Sequence, residues 1–385
     1  MKAIIIGAGI GGLTTAIALE KQGIDIEIYE KSDAISAVGA GLSLWKNAIF
    51  VLEALGLKHE LQQHAIAAGE GAIRSHTGDV LASMSQEGAE VMTVVVHRAD
   101  LHEMLHRAIQ TPIQLSKTVT HYQNTGNGVI AYFDDGTIAE GDILIAADGI
   151  HSPIRQQMFP DAQPIYSGYT AFRAVVDFEH ARLKGVWGES WGIGLRFGIT
   201  LLSGNRVYWF CTDNAPAGQR YQPVEAKQYI EGLYGDWHDP IADLIRATPV
   251  SAILHHDIYD LAPLSSWQDG RAVLLGDAAH AMTPNLGQGA CQAIEDAYAL
   301  AHCLANSNTV EQGIADYQAV RLPRAKQIVQ QSRQIGRVGQ LDNAIICWIR
   351  NQAVKLVPSG IRNQGINQVA AYDINRIQVN HNIAG

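Results

Sequence analysis

The sequence predicts an α/β fold of two interleaved parts followed by a helical C-terminal segment. Three observations lead there. At 385 residues the chain is too long for a single hydrophobic core. Its opening residues read as strand, glycine turn, helix, strand. Between about residues 165 and 260 the pattern changes to alternating apolar and polar positions rich in aromatics, which suits half-buried antiparallel strands. An apolar share of 47% against 17% charged residues excludes a disordered chain.

The first element is an apolar run over residues 3–6, as expected of a strand buried on both faces of a parallel sheet. The turn Gly7-Ala8-Gly9-Ile10-Gly11-Gly12 follows, then a helical pattern over residues 13–22 closed by Gly23. Residues 24–29 form a second strand ending at Glu30, and together these make a Rossmann-like βαβ unit. Gly7 permits the tight turn, Gly9 lets backbone approach a pyrophosphate, Gly12 lets the helix pack closely on the strand, and Gly11 is assigned to the same site. Glu30 stands where an acid binds ribose hydroxyls and repels a 2′-phosphate, and Lys31 beside it is assigned to the same site. That favours FAD or NAD over NADP at this turn.

A second nucleotide segment lies far down the chain. Residues 271–275 read as a buried strand with Gly276 and Asp277 at its carboxyl end, where α/β sheets bind ligands. Asp277 can accept hydrogen bonds from a ribityl chain, and Pro284 fixes the next turn. Gly287-Gln288-Gly289 offers amides at a helix beginning near Ala290, which suits negative charge at N1 and the C2 carbonyl of a reduced flavin. Two half-sites so far apart call for a long nucleotide, and FAD is the candidate. A third strand and turn, over residues 141–155, carries Asp148, Gly149 and Arg155.

Taken in order, these three segments resemble the class A flavoprotein monooxygenases, aromatic hydroxylases of the para-hydroxybenzoate hydroxylase fold, from residue 1 to roughly residue 340. The resemblance implies that Glu30 binds adenosine ribose, Arg98 the FAD phosphate or ribityl region, and Asp277 the ribityl chain. It ties Asp148 and Arg155 to both FAD and the nicotinamide donor, and Gly39-Ala40-Gly41 to the mobile loop beside the isoalloxazine ring. The implied reaction uses NADPH or NADH and O₂ to hydroxylate an aromatic or heteroaromatic small molecule through a C4a-hydroperoxyflavin. A flavin-dependent epoxidase, an antibiotic-modifying monooxygenase, an oxidase or dehydrogenase on a related scaffold, and a non-enzymatic flavin sensor stand as alternatives.

In the sheet-forming part, strands are expected over residues 169–176, 191–202 and 205–212, with a turn at Gly204-Asn205 and a helix from near Val224. Arg196 and Tyr208 stand among apolar neighbours there. A buried guanidinium must meet a carboxylate or an anionic ligand. The runs around them resemble the bacterial urate hydroxylases and their quinolone- and carotenoid-oxidising relatives, and that resemblance implies a substrate-side, catalytic place for both. His255 and His256 lack partners at metal spacing and read as structural, so no metal site is assigned. The expected division is a FAD-binding part from 1–70, 98–160 and 262–340, a sheet part from 71–97 and 161–261, and a tail from 341–385.

In the tail, a helix from 309 to about 341 is expected to kink or split at Pro323, and in the amphipathic segment 342–356 Trp348 and Ile349 are expected to pack on the FAD-binding part, with covering the pocket or contacting a second subunit as alternatives. Net charge is −10 with no Lys/Arg run, which argues against a nucleic-acid partner. Cys211, Cys291, Cys303 and Cys347 are scattered, as in a reducing compartment. No stretch reads as a signal peptide or bilayer span, and a cytoplasmic enzyme of unassigned oligomeric state is expected.

Overall fold

The computed structural model describes residues 1–35, 39–68, 71–84, 93–179, 183 and 187–370. Its nucleotide part is built on a six-stranded sheet in the order Gln268–Asp269, Ala272–Leu274, Ile143–Ala146, Lys2–Ile6, Asp25–Tyr29, Ile113–Gln114. The four central strands run parallel, so their carboxyl ends open along one edge. Strands Lys2–Ile6 and Ile143–Ala146 are buried almost throughout, which explains their unbroken apolar sequence. The helix Ile10–Lys21 packs against Gly289–Asn306, and Val310–Gly339 covers the latter. Those contacts bring the first and last nucleotide segments together.

A seven-stranded sheet forms the other layer, in the order Leu254–Asp260, Ile165–Asp177, Arg206–Asp213, Leu195–Leu202, Gly188–Trp191, Gly71–Ser75, Val80–Met84. Its side chains alternate as the sequence pattern requires. Phe172, Phe197, Trp209 and Cys211 bury one face with side chains from helices Pro223–Tyr234 and Ile241–Ala247. The register places Glu189, Trp191, Arg196, Tyr208, Phe210 and Arg173 on the opposite face. Smaller sheets join Gly41–Trp45 to Thr93–His97 and Ile66–Ala67, and Val119–Asn124 to Val129–Phe133 and Ile138–Gly141.

The structure departs from sequence expectation in three places. Residues 191–202 are two strands, because Gly192 and Gly194 reverse the chain, the first donating to Leu195 O at 2.8 Å and the second adopting φ +67°. Pro323 does not divide its helix, and Val310–Gly339 runs unbroken for 30 residues. Arg321 on one side of the proline and Ala325, Ile328 and Val329 on the other are all buried, so packing holds both halves in line despite one missing amide donor. Trp348 and Ile349 are exposed, because Cys347 and Arg350 occupy the inward face of Ala344–Leu356. The end of the expected tail, residues 371–385, lies outside the described residues. Among the described residues, no helix is long and apolar enough to cross a membrane.

Candidate active site

The glycine turn assigns a separate physical job to each glycine. Gly7 adopts φ +100° and donates to Tyr29 O at 2.7 Å, turning the chain off the central strand. A Cβ on Gly12 would lie 1.9 Å from Gly7 O, and one on Gly11 3.0 Å from the Leu275 side chain. Those two positions are packed shut. A Cβ on Gly9, by contrast, would meet nothing within 4 Å. The space in front of Gly9 is therefore open to a ligand at the N-terminus of Ile10–Lys21.

Glu30 closes the turn from the neighbouring strand. Its Oε2 accepts from the Ala8 amide at 2.8 Å, and its Oε1 accepts from the Ser32 amide at 3.0 Å and hydroxyl at 2.9 Å. Burial raises its pKa, but these donors and nearby Lys31 outweigh that and hold the carboxyl below its ordinary value. His102 Nε2 donates to Ala8 O at 2.7 Å from the helix Arg98–Ala108. The turn is thus clamped from two elements.

The far half-site begins at Gly276, whose φ of +61° opens the short helix Asp277–His280. Asp277 is exposed there, and one of its carboxylate oxygens lies 4.0 Å from where a Cβ on Gly289 would stand. The 3₁₀ turn Pro284–Leu286 leads into Gly287, which has φ +62°. The Gly287 amide is already bonded to Pro284 O at 2.9 Å. The donors that remain belong to the first turn of Gly289–Asn306, which has no intrahelical acceptors. The sequence reading grouped Gly287 with those donors, whereas the structure gives it the turn.

Beneath this helix start lies a buried polar network that motif reading missed. Gln288 Oε1 accepts from Asn47 Nδ2 and Gln292 Nε2, both at 3.0 Å. Glu295 accepts from Arg321 and Arg324, and Asp296 from Arg321 Nε at 2.7 Å, His280 Nε2 at 2.5 Å and the Gly276 amide at 3.1 Å. Burial raises the Asp296 pKa, but the charges of His280 and Arg321 prevail and hold it at about 2. The signal was legible in principle. Two consecutive acids within an otherwise apolar helix must have buried partners.

Asp148 is the third member of the cluster. Both of its carboxylate oxygens are buried without a partner in good hydrogen-bond geometry. Burial pushes its carboxyl up to about 6 against the lowering influence of Ser152 and Arg155. Gly149 beside it has φ +83° and faces open space. Arg155 is fully buried and donates to Ile150 O at 2.5 Å, Ala162 O at 3.1 Å and Ala278 O at 3.3 Å. It ties the middle segment to the late one through backbone carbonyls.

On the sheet side, Gly41 lies directly on Tyr208, so that a Cβ there would be 2.6 Å from the ring. Burial raises the pKa of the Tyr208 hydroxyl. Arg98 is exposed at the first position of its helix, with its amide on Ala40 O at 2.8 Å. Arg196 is 2% exposed and fully engaged. Its Nε and Nη2 donate to Glu189 Oε2 at 3.2 and 2.7 Å, and its Nη1 donates to Asn285 Oδ1 at 2.6 Å. Trp191 Nε1 donates to the same Glu189 oxygen at 2.9 Å, while Asn285 Nδ2 donates to the Tyr169 hydroxyl at 3.2 Å. Arg196 pairs across the sheet with Thr212, four positions along from Tyr208, which separates the two by about 13 Å. They stand apart on the same sheet face.

These features suit a long dinucleotide: open space at Gly9 and Gly149, an exposed Asp277, unpartnered carboxylate oxygens on Asp148, and free amides at a helix start. Comparison with known proteins agrees. A family model described as FAD binding domain matches residues 1–332. The chain is 40% identical to aurachin C monooxygenase/isomerase of Stigmatella aurantiaca, over 92% of this chain and 94% of that protein. It is 33% identical to 2-heptyl-3-hydroxy-4(1H)-quinolone synthase of Pseudomonas aeruginosa, over 96% of this chain and all of the relative. Klebsiella pneumoniae HpxO, solved with FAD and uric acid, superposes with a TM-score of 0.88 at 30% identity, covering 96% of this chain and 97% of that one. The chain belongs to the FAD binding domain family and is a class A FAD-dependent monooxygenase that takes NAD(P)H as co-substrate.

Proposed function

We propose that this monooxygenase hydroxylates a neutral heteroaromatic small molecule, a fused nitrogen heterocycle of the quinolone kind, with O₂ as the second co-substrate. The observation that carries this reading is the pairing of Arg196. Its charge is already met by Glu189 and its remaining reach by Asn285, so Arg196 itself holds no unmet charge for an anionic ring. The name of the quinolone synthase relative supports the same class.

FAD, when bound, supplies electron transfer from the donor and activation of oxygen. The protein supplies the rest. Glu30, with its carboxyl held below its ordinary pKa, would take ribose hydroxyls, Arg98 the phosphate or ribityl region and Asp277 the ribityl hydroxyls. The first amides of Gly289–Asn306 would hold negative charge at the pyrimidine end of the ring system. Tyr208, packed on Gly41, and Phe210 beside it would exclude water and offer aromatic faces to a planar substrate. The free, buried cysteines suit a cytoplasmic location.

The test is to purify the protein, confirm FAD by its absorbance, and follow NADH and NADPH oxidation with quinolone, phenol and purine panels. Substrate-stimulated oxidation with a hydroxylated quinolone-type product is expected. Stimulation by urate or carboxylated phenols alone would overturn the neutral-substrate reading. A flavin that neither donor reduces would point to a sensor.

A further inference from the structure

Nine of the sixteen large apolar side chains exposed among the described residues fall between Ile335 and Ile361, so this surface is concentrated rather than scattered. The helix Ala344–Leu356 is firmly attached on one side. Arg350 donates to Gly192 O at 3.0 Å and to Val338 O and Gly339 O at 3.3 Å, its guanidinium lies 5.1 Å from the Trp191 ring centre, and Cys347 donates to Leu341 O at 3.0 Å. The opposite side carries Ile345, Ile349 and Leu356 in line, 72%, 54% and 80% exposed, flanked by Ile346 and Trp348. Ile361, on the next helix Ser359–Ala370, is open as well.

Charge distinguishes what could cover this face. Residues 343–370 contain no Asp or Glu, in a chain whose net charge is −10; Arg350 there is buried, Lys355 is exposed, exposed Arg337 stands beside Val338, and exposed Asp342 is the one acid between 335 and 361. Lys355 is exposed near Trp348 on the helix. A second copy docked by two-fold symmetry would bring the same acid-poor, basic surface against itself. An anionic lipid surface is complementary to both the apolar residues and their basic rim, and Trp is the side chain suited to headgroup depth.

We propose that this apolar, acid-poor face docks on the surface of an anionic phospholipid bilayer, with Trp348 and the isoleucines at headgroup level and Lys355 at the rim. The attachment through Arg350 and Trp191 leads to Glu189 and Arg196, so the docked face adjoins the proposed substrate side. The inference does not depend on which ring is hydroxylated.

The experiment is co-sedimentation of the FAD-loaded protein with vesicles of phosphatidylcholine alone or mixed with phosphatidylglycerol. Wild type should pellet with the anionic vesicles, and less so as salt rises. Ile345→Ser, Trp348→Ser and Ile349→Ser combined should weaken binding by at least about tenfold with FAD content unchanged. Lys355→Glu, which spares the apolar face, should weaken binding to anionic vesicles only, and keeps the test open if the triple variant fails to fold. Wild type that stays in solution with both vesicle types, or variants that pellet equally well, would overturn the proposal. So would a dimer in sedimentation velocity that the Ile/Trp variant dissociates, since the occupant would then be a second copy. Vesicle binding that appears only after removal of residues 371–385 would assign the face to the chain's own terminus.

Discussion

Glu189 sets the charge that Arg196 presents. With that carboxylate in place the guanidinium charge is balanced; with Glu189→Gln it keeps a hydrogen-bond partner but its charge is left unbalanced. An anionic ring compound should then bind about tenfold more tightly, measured as competitive inhibition, while turnover of a neutral substrate falls. A variant with unchanged preference would deny Arg196 a place beside the substrate. Two other carboxyls act on stability in opposite directions. Asp296, held at about 2 from an ordinary value of 3.8, contributes stability that is present above that ordinary value and lost as pH falls through the lowered one. Asp148, raised to about 6, favours the fold when protonated and withdraws that contribution as pH rises from 3.8 through 6. Thermal unfolding against pH reads both: Asp148→Asn should remove the loss near 6, whereas Asp296→Ala takes one of two carboxylates from buried Arg321 and leaves it with Glu295, which should cost about 3 kcal/mol at neutral pH. Arg196 and Asp148 were visible as residues in the sequence. Their charge states were not, because Glu189 and the burial around Asp148 are products of folding.

At the scale of the element, the glycine turn separates cofactor binding from folding. Gly12→Ala puts a methyl into Gly7 O and should destabilise the apoprotein by at least about 3 kcal/mol, seen as a lowered melting temperature. Gly9→Ala meets only open space, so the apoprotein should melt within about 0.5 kcal/mol of wild type. It should still bind FAD at least about tenfold more weakly in a flavin titration, because the methyl enters the cofactor's space. Equal flavin affinity in Gly9→Ala would place the pyrophosphate elsewhere. Strand, turn and helix were all readable here because each glycine's task is local to the backbone. The reversal at Gly192 and Gly194 was harder to see, since aromatic and branched residues on both sides continue the strand pattern. Pro323 misled for the opposite reason: local chemistry favours a break, and contacts from Gly289–Asn306 overrule it.

At the scale of the molecule, three segments widely separated in sequence meet at one sheet edge. The parallel register brings the glycine turn, Asp148 and Gly276 to the same side, and Arg155 joins the latter two segments. The local geometry of the segments assigned to the cofactor was largely legible, because glycine turns and helix starts are set by short stretches of chain. The Asn47–Glu295–Asp296–Arg321 network was not, because its members come from three helices whose pairing no short motif records. The substrate side stayed open for the same reason. Asp277→Ala tests the assembled site as a whole. It removes an exposed carboxylate that the fold does not need, so the variant should fold normally yet purify mostly without FAD, as read by the ratio of flavin to protein absorbance.

The sheet order also has a consequence for synthesis. Lys2–Ile6 receives Asp25–Tyr29 almost as soon as it leaves the ribosome, but Ile143–Ala146 and then Ala272–Leu274 arrive much later. For most of translation the nascent chain holds one end of a cofactor grip and lacks the other. With the cofactor held as proposed, FAD lends the growing polypeptide no full ligand stabilisation until Gly289 has emerged.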